Sequence, residues 1–272
     1  MKKQVGTKGP QMETYHIGEA TKSGQGQDVA PDQGKGLRGI DDLFKDSWNI
    51  FAAGWIKYLL FFLLMIGLLL GVVALIAIAI VLAFLVKNII VITTSIILAV
   101  ILFMIVATTL ALAMNKLVYD VGEQSSDGIK EAVRYGFHHF PAYFLVSLVS
   151  GLLIIIGLIL LIIPGVVIGT MLSLVAPVFI LEARHGISAL KRSRELVKGY
   201  FWPVFGRLIL LTLVSMALSS VQYIVPNIIF LSLVTNTTLM VINFILTYYG
   251  VAYSYLIYKD LAMIKKGAVS SS

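Results

Sequence analysis

The sequence predicts an all-α integral membrane protein with six transmembrane helices. These form three hairpins, and each hairpin is preceded by an amphipathic helix at the membrane interface. Three observations predict this fold: the composition, the lengths of the charge-free stretches and the distribution of Lys and Arg. Of the 272 residues, 58% are hydrophobic and 13% are charged, whereas a soluble domain carries about 25% charged residues. So few charges cannot solvate a globular surface, which excludes an ordinary soluble domain.

The chain divides into a polar segment, a membrane region and a short tail. Residues 1–37 contain almost no apolar side chains and cannot bury enough surface to offset the loss of chain entropy. We therefore expect a disordered cytoplasmic tail over 1–37, a six-span membrane domain over 38–262 and a short cytoplasmic C-terminal tail over 263–272.

Two long uncharged stretches, 58–86 and 88–115, predict the first hairpin. A single helix over 55–118 would be about 95 Å long at ~1.5 Å per residue. The hydrocarbon core is only about 30 Å thick. The chain must therefore turn near Lys87 and Asn88.

Two further uncharged stretches predict the remaining hairpins. Pro164-Gly165 divides residues 143–181, because proline lacks an N–H and favours a turn. Residues 208–258 are divided around Pro226-Asn227, where we expect a short lip helix or a shallow re-entrant piece. The predicted spans of these two hairpins are residues 142–163, 166–183, 203–224 and 238–258.

The basic residues predict the orientation of the spans. Twenty of the 21 Lys and Arg residues lie in segments on one side of the predicted membrane, and only Lys87 lies on the other. Cytoplasmic loops carry such an excess. We therefore expect both termini to be cytoplasmic in a prokaryotic plasma membrane. The net charge of +7 lies at the membrane borders, so we expect no nucleic-acid partner.

Three segments before the odd-numbered spans share a pattern, and we call them the Gly-Ile segments. Each begins with Gly-Ile and has a large aromatic residue at its seventeenth position. Apolar residues recur in them at helical spacing, which predicts an amphipathic helix in the interface. The alternative is that any cytoplasmic segment entering a membrane looks amphipathic without being a repeat. The first and seventeenth residues are Gly39 and Trp55, Gly128 and Phe144, and Gly186 and Trp202.

The third Gly-Ile segment and its flanks carry the densest basic cluster. Basic residues near a membrane surface attract anionic lipids by ~1 kcal/mol each. The alternative is an ordinary topology signal that has no lipid specificity. The candidate anionic-lipid contacts are Arg184, Lys191, Arg192, Arg194, Lys198 and Arg207.

The sequence predicts no catalytic residue, no cofactor and no metal site. Cysteine is absent, which removes thiol chemistry. Gly34, Gly36 and Gly39 match a dinucleotide-binding spacing, but no strand precedes them. No Asp, Glu, Lys, Arg or His lies in the core of a predicted span, which argues against a proton-coupled transporter.

Polar uncharged side chains do occur within the predicted spans. They would either line a polar groove or bond between packed helices. These residues are Thr108, Thr109, Ser147, Ser150, Thr170, Ser173, Thr212, Ser215, Ser219, Asn243 and Thr247.

Several short motifs follow one another in a characteristic order. They are Ile-Ile-Pro-Gly at 162–165, Ala-Pro-Val at 176–178, Glu182, Ala-Leu-Lys-Arg-Ser at 189–193, Lys-Gly-Tyr-Phe-Trp at 198–202 and Asp-Ser-Trp at 46–48. This order resembles the membrane domain of glycerophosphoryl diester phosphodiesterases and of related stand-alone six-span bacterial membrane proteins of unknown function. The resemblance covers roughly residues 40–262.

The resemblance implies a membrane module without the enzyme. The phosphodiesterase domain of that family is a (β/α)₈ barrel, a fold that needs about 250 residues. Outside the predicted spans this sequence offers no such segment, so no catalytic residue is carried over.

The favoured function is therefore non-catalytic: a lipid-contacting or scaffolding module of the cytoplasmic membrane. Its expected partners are membrane lipids, anionic ones included, and either another protein or a second copy of the chain. The alternative is a facilitator that moves a small or lipid-like solute through a groove between the helical repeats, since Pro-interrupted helices often frame transport sites.

Overall fold

The computed structural model describes residues 37–86, 89–224 and 229–270. The regular structure within these ranges is entirely helical. Its eight helices are α1 (Ile40–Val86), α2 (Ile89–Gly122), α3 (Ile129–Leu160), α4 (Ile162–Leu172), α5 (Val175–Leu181), α6 (Ile187–Val197), α7 (Phe201–Ile224) and α8 (Ile229–Ser270).

The predicted six-span, all-α architecture is confirmed. In the described ranges, six segments are long and apolar enough to cross a membrane: α1, α2, α3, α4 together with α5, α7 and α8. The predicted disordered tail lies outside the described residues except for Leu37. The predicted turn near Lys87 and the divided region at Pro226-Asn227 also lie outside them. The chain is a multi-pass membrane protein.

The Gly-Ile segments differ in how they join their spans. The sequence predicted a separate helix for each segment. The first two segments are instead continuous with α1 and α3. No left-handed backbone interrupts α1 or α3, and α3 even passes through Pro141. The third segment does form a separate helix, α6. It is followed by Gly199, whose φ of +91° favours glycine and redirects the chain into α7.

The turn between α3 and α4 lies earlier than predicted. The sequence placed it at Pro164-Gly165, but the interruption falls at Leu161, whose φ of −168° and ψ of 147° are extended. Pro164 is instead in the first turn of α4. Backbone N–H groups there have no partner within the helix, so proline is tolerated without loss of a hydrogen bond.

Glycine allows α3 and α4 to approach closely beyond that turn. A Cβ atom added to Gly157 would lie 2.9 Å from the Cα atom of Gly165. The spacing of Gly67 with Gly71 and of Gly165 with Gly169, small residues four positions apart, also predicts close helix contact. A Cβ atom at Gly67, Gly71 or Gly169 would meet no atom within 4 Å, so these three make no such contact with the described residues.

The packed core lies towards the charged ends of the helices. Leu43 and Tyr58 of α1 are buried there, as are Leu117 of α2 and Tyr253 of α8. Large apolar side chains along the rest of α1 and the first half of α2 are mostly exposed. An apolar surface of this kind is expected where helices face lipid rather than water.

Candidate functional site

Charged side chains from distant parts of the chain converge at one end of the bundle. Arg38, which precedes α1, reaches Asp260 in α8. Lys57 of α1 donates to the backbone carbonyl of Asp127, in the loop before α3, at 3.5 Å. The segments that the sequence grouped on one side of the membrane therefore contact one another.

The first polar group is centred on Arg38. Its Nε donates to Oδ1 of Asp260 at 2.8 Å, and its Nη1 donates to Oδ2 of Asp46 at 2.7 Å. The Asp260 side chain is 6% exposed and that of Arg38 is 14% exposed. Nη2 of Arg207 donates to the backbone carbonyl of Arg38. Arg207, a predicted lipid contact, therefore has a partner within the protein.

A second polar group joins α2 to the start of α3. Lys116 forms ion pairs with Asp120 and with Oδ2 of Asp127, the latter at 3.3 Å. Its ammonium group also lies 5.8 Å from the centre of the Tyr135 ring. These contacts hold the loop between α2 and α3 against both helices, which is a structural role.

The third polar group is centred on Glu182, just after α5. Its carboxylate accepts hydrogen bonds from Nε of Arg192 in α6 and from the hydroxyl of Tyr258 in α8. Nε of Arg184 lies 3.0 Å from the same carboxylate. Glu182 therefore fixes α6 relative to α8. The buried hydroxyl of Ser193 attaches α6 to α4 as well, because it donates to the carbonyl of Met171 at 2.7 Å.

A cleft lies between α6 and the end of α8. Its volume is about 470 Å³. One wall is held in place by Lys265, whose Nζ donates to the backbone carbonyl of Lys198 at 3.0 Å and lies 5.8 Å from the centre of the Tyr200 ring. We call it the basic cleft. Its lining residues are Arg192, Glu195, Lys198, Lys265 and Lys266.

Arg184 and Arg207 have partners within the protein, and the structure divides the other four predicted lipid contacts into two groups. Arg192 and Lys198 line the basic cleft. Lys191 and Arg194 are exposed on α6, and in the described part of the chain they form no ion pair and no side-chain hydrogen bond. Residues adjacent in sequence are thus separated because a helix turns by 100° per residue.

Sequence reasoning missed Lys265 and Lys266 as part of this cleft. They follow the last span, and the contact from Lys265 to Lys198 joins residues 67 positions apart. Their basic character was visible in the sequence, but no local pattern links them to α6. The same limitation applies to the contact between Arg38 and Asp260.

Two histidines lie close together outside the basic cleft. The rings of His139 and His185 lie 5.7 Å apart, and both contact Phe179. Partial burial and the nearby His139 lower the pKa of His185. Within the described ranges, no group of three His, Asp or Glu side chains is arranged to hold a metal ion.

Polar side chains within the spans mostly bond to their own helix. The hydroxyls of Thr170 and Thr212 donate to the carbonyls four residues earlier. The amide of Asn243 does the same. Such local bonds satisfy a polar side chain without a partner helix. The side chain of Ser219 lies outside the described residues.

A second, smaller crevice lies between α1, α2 and α8 within the membrane-spanning region. Its volume is about 190 Å³. It is mostly apolar, and it contains no ionisable side chain other than a tyrosine among the described residues. The lining residues are Phe62, Met65, Met114, Met240, Asn243, Phe244, Thr247 and Tyr248.

Comparison of the chain with protein-family models, with curated proteins and with solved structures finds no match. The resemblance to the phosphodiesterase membrane domain therefore stays a prediction. The basic cleft is the strongest candidate site because it combines open volume with positive charge supplied by two separate helices.

Proposed function

We propose that this protein is a non-catalytic module of a prokaryotic cytoplasmic membrane that binds anionic lipid headgroups in the basic cleft. One observation carries the proposal: α6 and the end of α8 together place four cationic side chains around one open volume. Each basic residue near a membrane surface contributes about 1 kcal/mol to the attraction of anionic lipid.

Aromatic residues beside the cleft support a location at headgroup depth. Trp202 is 75% exposed and follows Lys198 by four residues. Its ring packs edge-on against Phe201 and Phe205. Exposed tryptophan is typical of the membrane–water interface. A headgroup held by Lys198 could keep its acyl chains in the bilayer beside this aromatic group.

The charged groups at this end of the bundle suit binding better than proton transfer. Arg38 pairs with Asp260 of α8, Lys116 pairs with Asp127 in the loop before α3, and Glu182 pairs with Arg192 of α6. Such pairs supply a rigid frame, while the lysines of the cleft remain open to a ligand. This division of roles supports a non-catalytic module.

The test compares two double variants of the full-length protein with equal loss of charge. Lys198→Gln with Lys265→Gln alters the basic cleft, and Lys191→Gln with Arg194→Gln alters the exposed face of α6. Lipid retention is measured by native mass spectrometry after release from nanodiscs of mixed headgroup composition. Two charges at about 1 kcal/mol each predict a roughly thirtyfold loss of anionic lipid in the cleft variant.

The control variant should retain anionic lipid almost as the unmodified protein does. Equal losses in both variants would mean that the basic residues attract lipid only through their total charge. Retention that merely follows the bulk lipid mixture in all three proteins would contradict the proposal.

A facilitator is the second candidate, and the crevice of about 190 Å³ between α1, α2 and α8 favours it. A mostly apolar crevice suits a lipid-like solute rather than an ion. Movement of a fluorescent lipid between leaflets of reconstituted vesicles, lost on Asn243→Leu and kept on Lys198→Gln, would favour this function over headgroup binding alone.

A further inference from the structure

The basic cleft has more positive charge than its own carboxylates balance. Four cationic side chains and one carboxylate line it, which leaves a formal charge of +3. The carboxylate is that of Glu195, which lies 3.8 Å from Nη1 of Arg192. The surplus must therefore be balanced by solvent ions or by a bound anion.

Arg192 is not the source of this surplus. Glu182 accepts from its Nε at 3.0 Å, and Glu195 lies on its other side. Lys198, Lys265 and Lys266, by contrast, form no ion pair with any carboxylate in the described ranges. Three ammonium groups thus face the cleft without a matching negative charge.

We infer that the basic cleft binds a phosphomonoester in preference to a phosphodiester. A phosphomonoester carries about −1.5 to −2 charges at pH 7 and three strong acceptor oxygens. A lipid phosphodiester carries a single negative charge. The monoester balances more of the lysine surplus and offers one acceptor oxygen to each ammonium group. This inference rests on the proposed function, because it specifies which headgroup the cleft selects.

Arg192 then has a positioning role at the edge of the cleft. Its guanidinium is held by two carboxylates, so it closes one side of the volume without reaching freely towards a ligand. Lys265 is fixed by the carbonyl of Lys198, which brings the two ammonium-bearing segments together before a ligand arrives. Such preorganisation reduces the ordering that binding would otherwise require.

The preference should depend on pH in a direction set by the ligand. A phosphomonoester gains its second charge with a pKa near 6. The groups that face the cleft are Arg192, Glu195 and Lys198 from α6 and its end, and Lys265 and Lys266 from α8, with Glu182 behind Arg192. No histidine is among these described groups, and histidine is the side chain whose charge ordinarily changes between pH 5 and 8.

The test uses the full-length protein in phosphatidylcholine nanodiscs that also contain either phosphatidate or phosphatidylglycerol, matched for total negative charge. Native mass spectrometry gives the occupancy of each lipid at pH 5 and at pH 8. We expect about fivefold higher retention of phosphatidate at pH 8, the effect of roughly one additional charge at a membrane surface. The preference should shrink at pH 5 and disappear in the Lys198→Gln, Lys265→Gln variant.

A competition experiment identifies the source of the phosphomonoester. Glycerol phosphate, which is the phosphatidate headgroup without acyl chains, is added to the phosphatidate nanodiscs. Displacement of phosphatidate at low concentration would assign the cleft to a soluble phosphate ester. Failure to displace it would assign the cleft to a lipid.

The outcomes separate this inference from the proposed function. Equal retention of phosphatidate and phosphatidylglycerol, both lost in the cleft variant, would overturn the monoester preference but keep anionic-lipid binding. No preference for either lipid over phosphatidylcholine would overturn both. A preference for phosphatidate that persists in the cleft variant, or that is unchanged between pH 5 and pH 8, would overturn the inference.

Discussion

Arg192 donates from its Nε to both carboxylate oxygens of Glu182, at 3.1 and 3.0 Å, and so attaches α6 to the end of α5. The hydroxyl of Tyr258 in α8 donates to the same carboxylate at 3.2 Å. One side chain therefore determines how α6 and α8 lie relative to each other. Because the basic cleft lies between these helices, its shape depends on Glu182, which does not line it.

Glu182→Gln should loosen α6 without altering any side chain that lines the cleft. Hydrogen bonds to a charged group contribute about 1.5–3 kcal/mol when they are partly buried. Because the Glu182 side chain is only 18% exposed, we expect a loss of stability within that range. Hydrogen–deuterium exchange in detergent should show faster exchange along α6. The control is Glu195→Gln. Because Glu195 is 66% exposed, its loss should change the stability by less than about 1 kcal/mol. Equal protection of α6 in both variants would contradict this role for Glu182.

Arg38 and Asp260 should show strong energetic coupling. Removing one member of a buried ion pair costs about 3–5 kcal/mol, because the other charge is left without a partner. We expect Arg38→Gln and Asp260→Asn each to lower the free energy of unfolding by about 2–3 kcal/mol, since Arg38 keeps some contact with solvent. Denaturation in detergent micelles measures the loss.

The double variant completes the cycle for this pair. Its loss should be smaller than the sum of the two single losses by more than about 0.5 kcal/mol, the usual error for independent sites. Asp41→Asn, at an exposed position near the start of α1, is the control and should change little. Additive losses would mean that the two residues do not act as a pair.

Gly157→Ala should destabilise the hairpin of α3 and α4. The added Cβ atom would lie 2.9 Å from the Cα atom of Gly165, and backbone cannot yield as a flexible side chain does. Forcing an extra methyl group into a packed contact costs about 1–3 kcal/mol. Gly151→Ala in the same helix is the matched control, since its Cβ atom would meet nothing within 4 Å. Thermal unfolding of both variants in one detergent provides the measurement, and equal midpoints would contradict the close contact.

Tyr248 and Tyr249 should respond differently to loss of the hydroxyl group. The buried Tyr248 hydroxyl has no hydrogen-bond partner among the described residues, while its ring stacks on Tyr58 at 4.8 Å. Tyr248→Phe keeps the stack and removes an unsatisfied polar group, so stability should stay equal or rise by about 1 kcal/mol. Tyr249→Phe removes a hydrogen bond to the Phe44 carbonyl and should lose about 1 kcal/mol. Thermal unfolding distinguishes the two, and a larger loss for Tyr248→Phe would show that its hydroxyl has a partner.

The number of spans could be predicted from sequence because hydropathy is a local property. Residues 143–181 are uncharged whatever they pack against, and a proline marks a break nearby. The break lies three residues before the predicted position, because proline is also tolerated in the first turn of a helix. The third Gly-Ile segment separates from its span where Gly199 adopts a positive φ. Gly54 lies near the end of the first segment but remains within α1. The sequence alone did not distinguish these two glycines.

The candidate site could be predicted only in part. The basic character of α6 was visible, but the rotation of α6 decides that Arg192 lines the cleft and that Lys191 does not. The contribution of Lys265 depends on how α8 packs against α6, and no local pattern encodes that packing. Pairs such as Glu182 with Tyr258 are likewise products of tertiary structure. Charge composition predicts which end of a bundle is polar, but only the packed structure shows which charges are free.

The pair of Arg38 and Asp260 also constrains how the protein is made. The two residues are 222 positions apart, so Arg38 leaves the ribosome long before its partner is synthesised. Until α8 inserts, Asp46 is the one of its two carboxylate partners in the described structure that Arg38 can reach. The carbonyl of Arg38 gains Arg207 somewhat earlier, when α7 is made. The ion pair between the start of the first helix and the last helix therefore forms only when α8 is complete. In a chain truncated before Asp260, Arg38 would lack this partner, and we expect the segment around it to be more open to proteolysis.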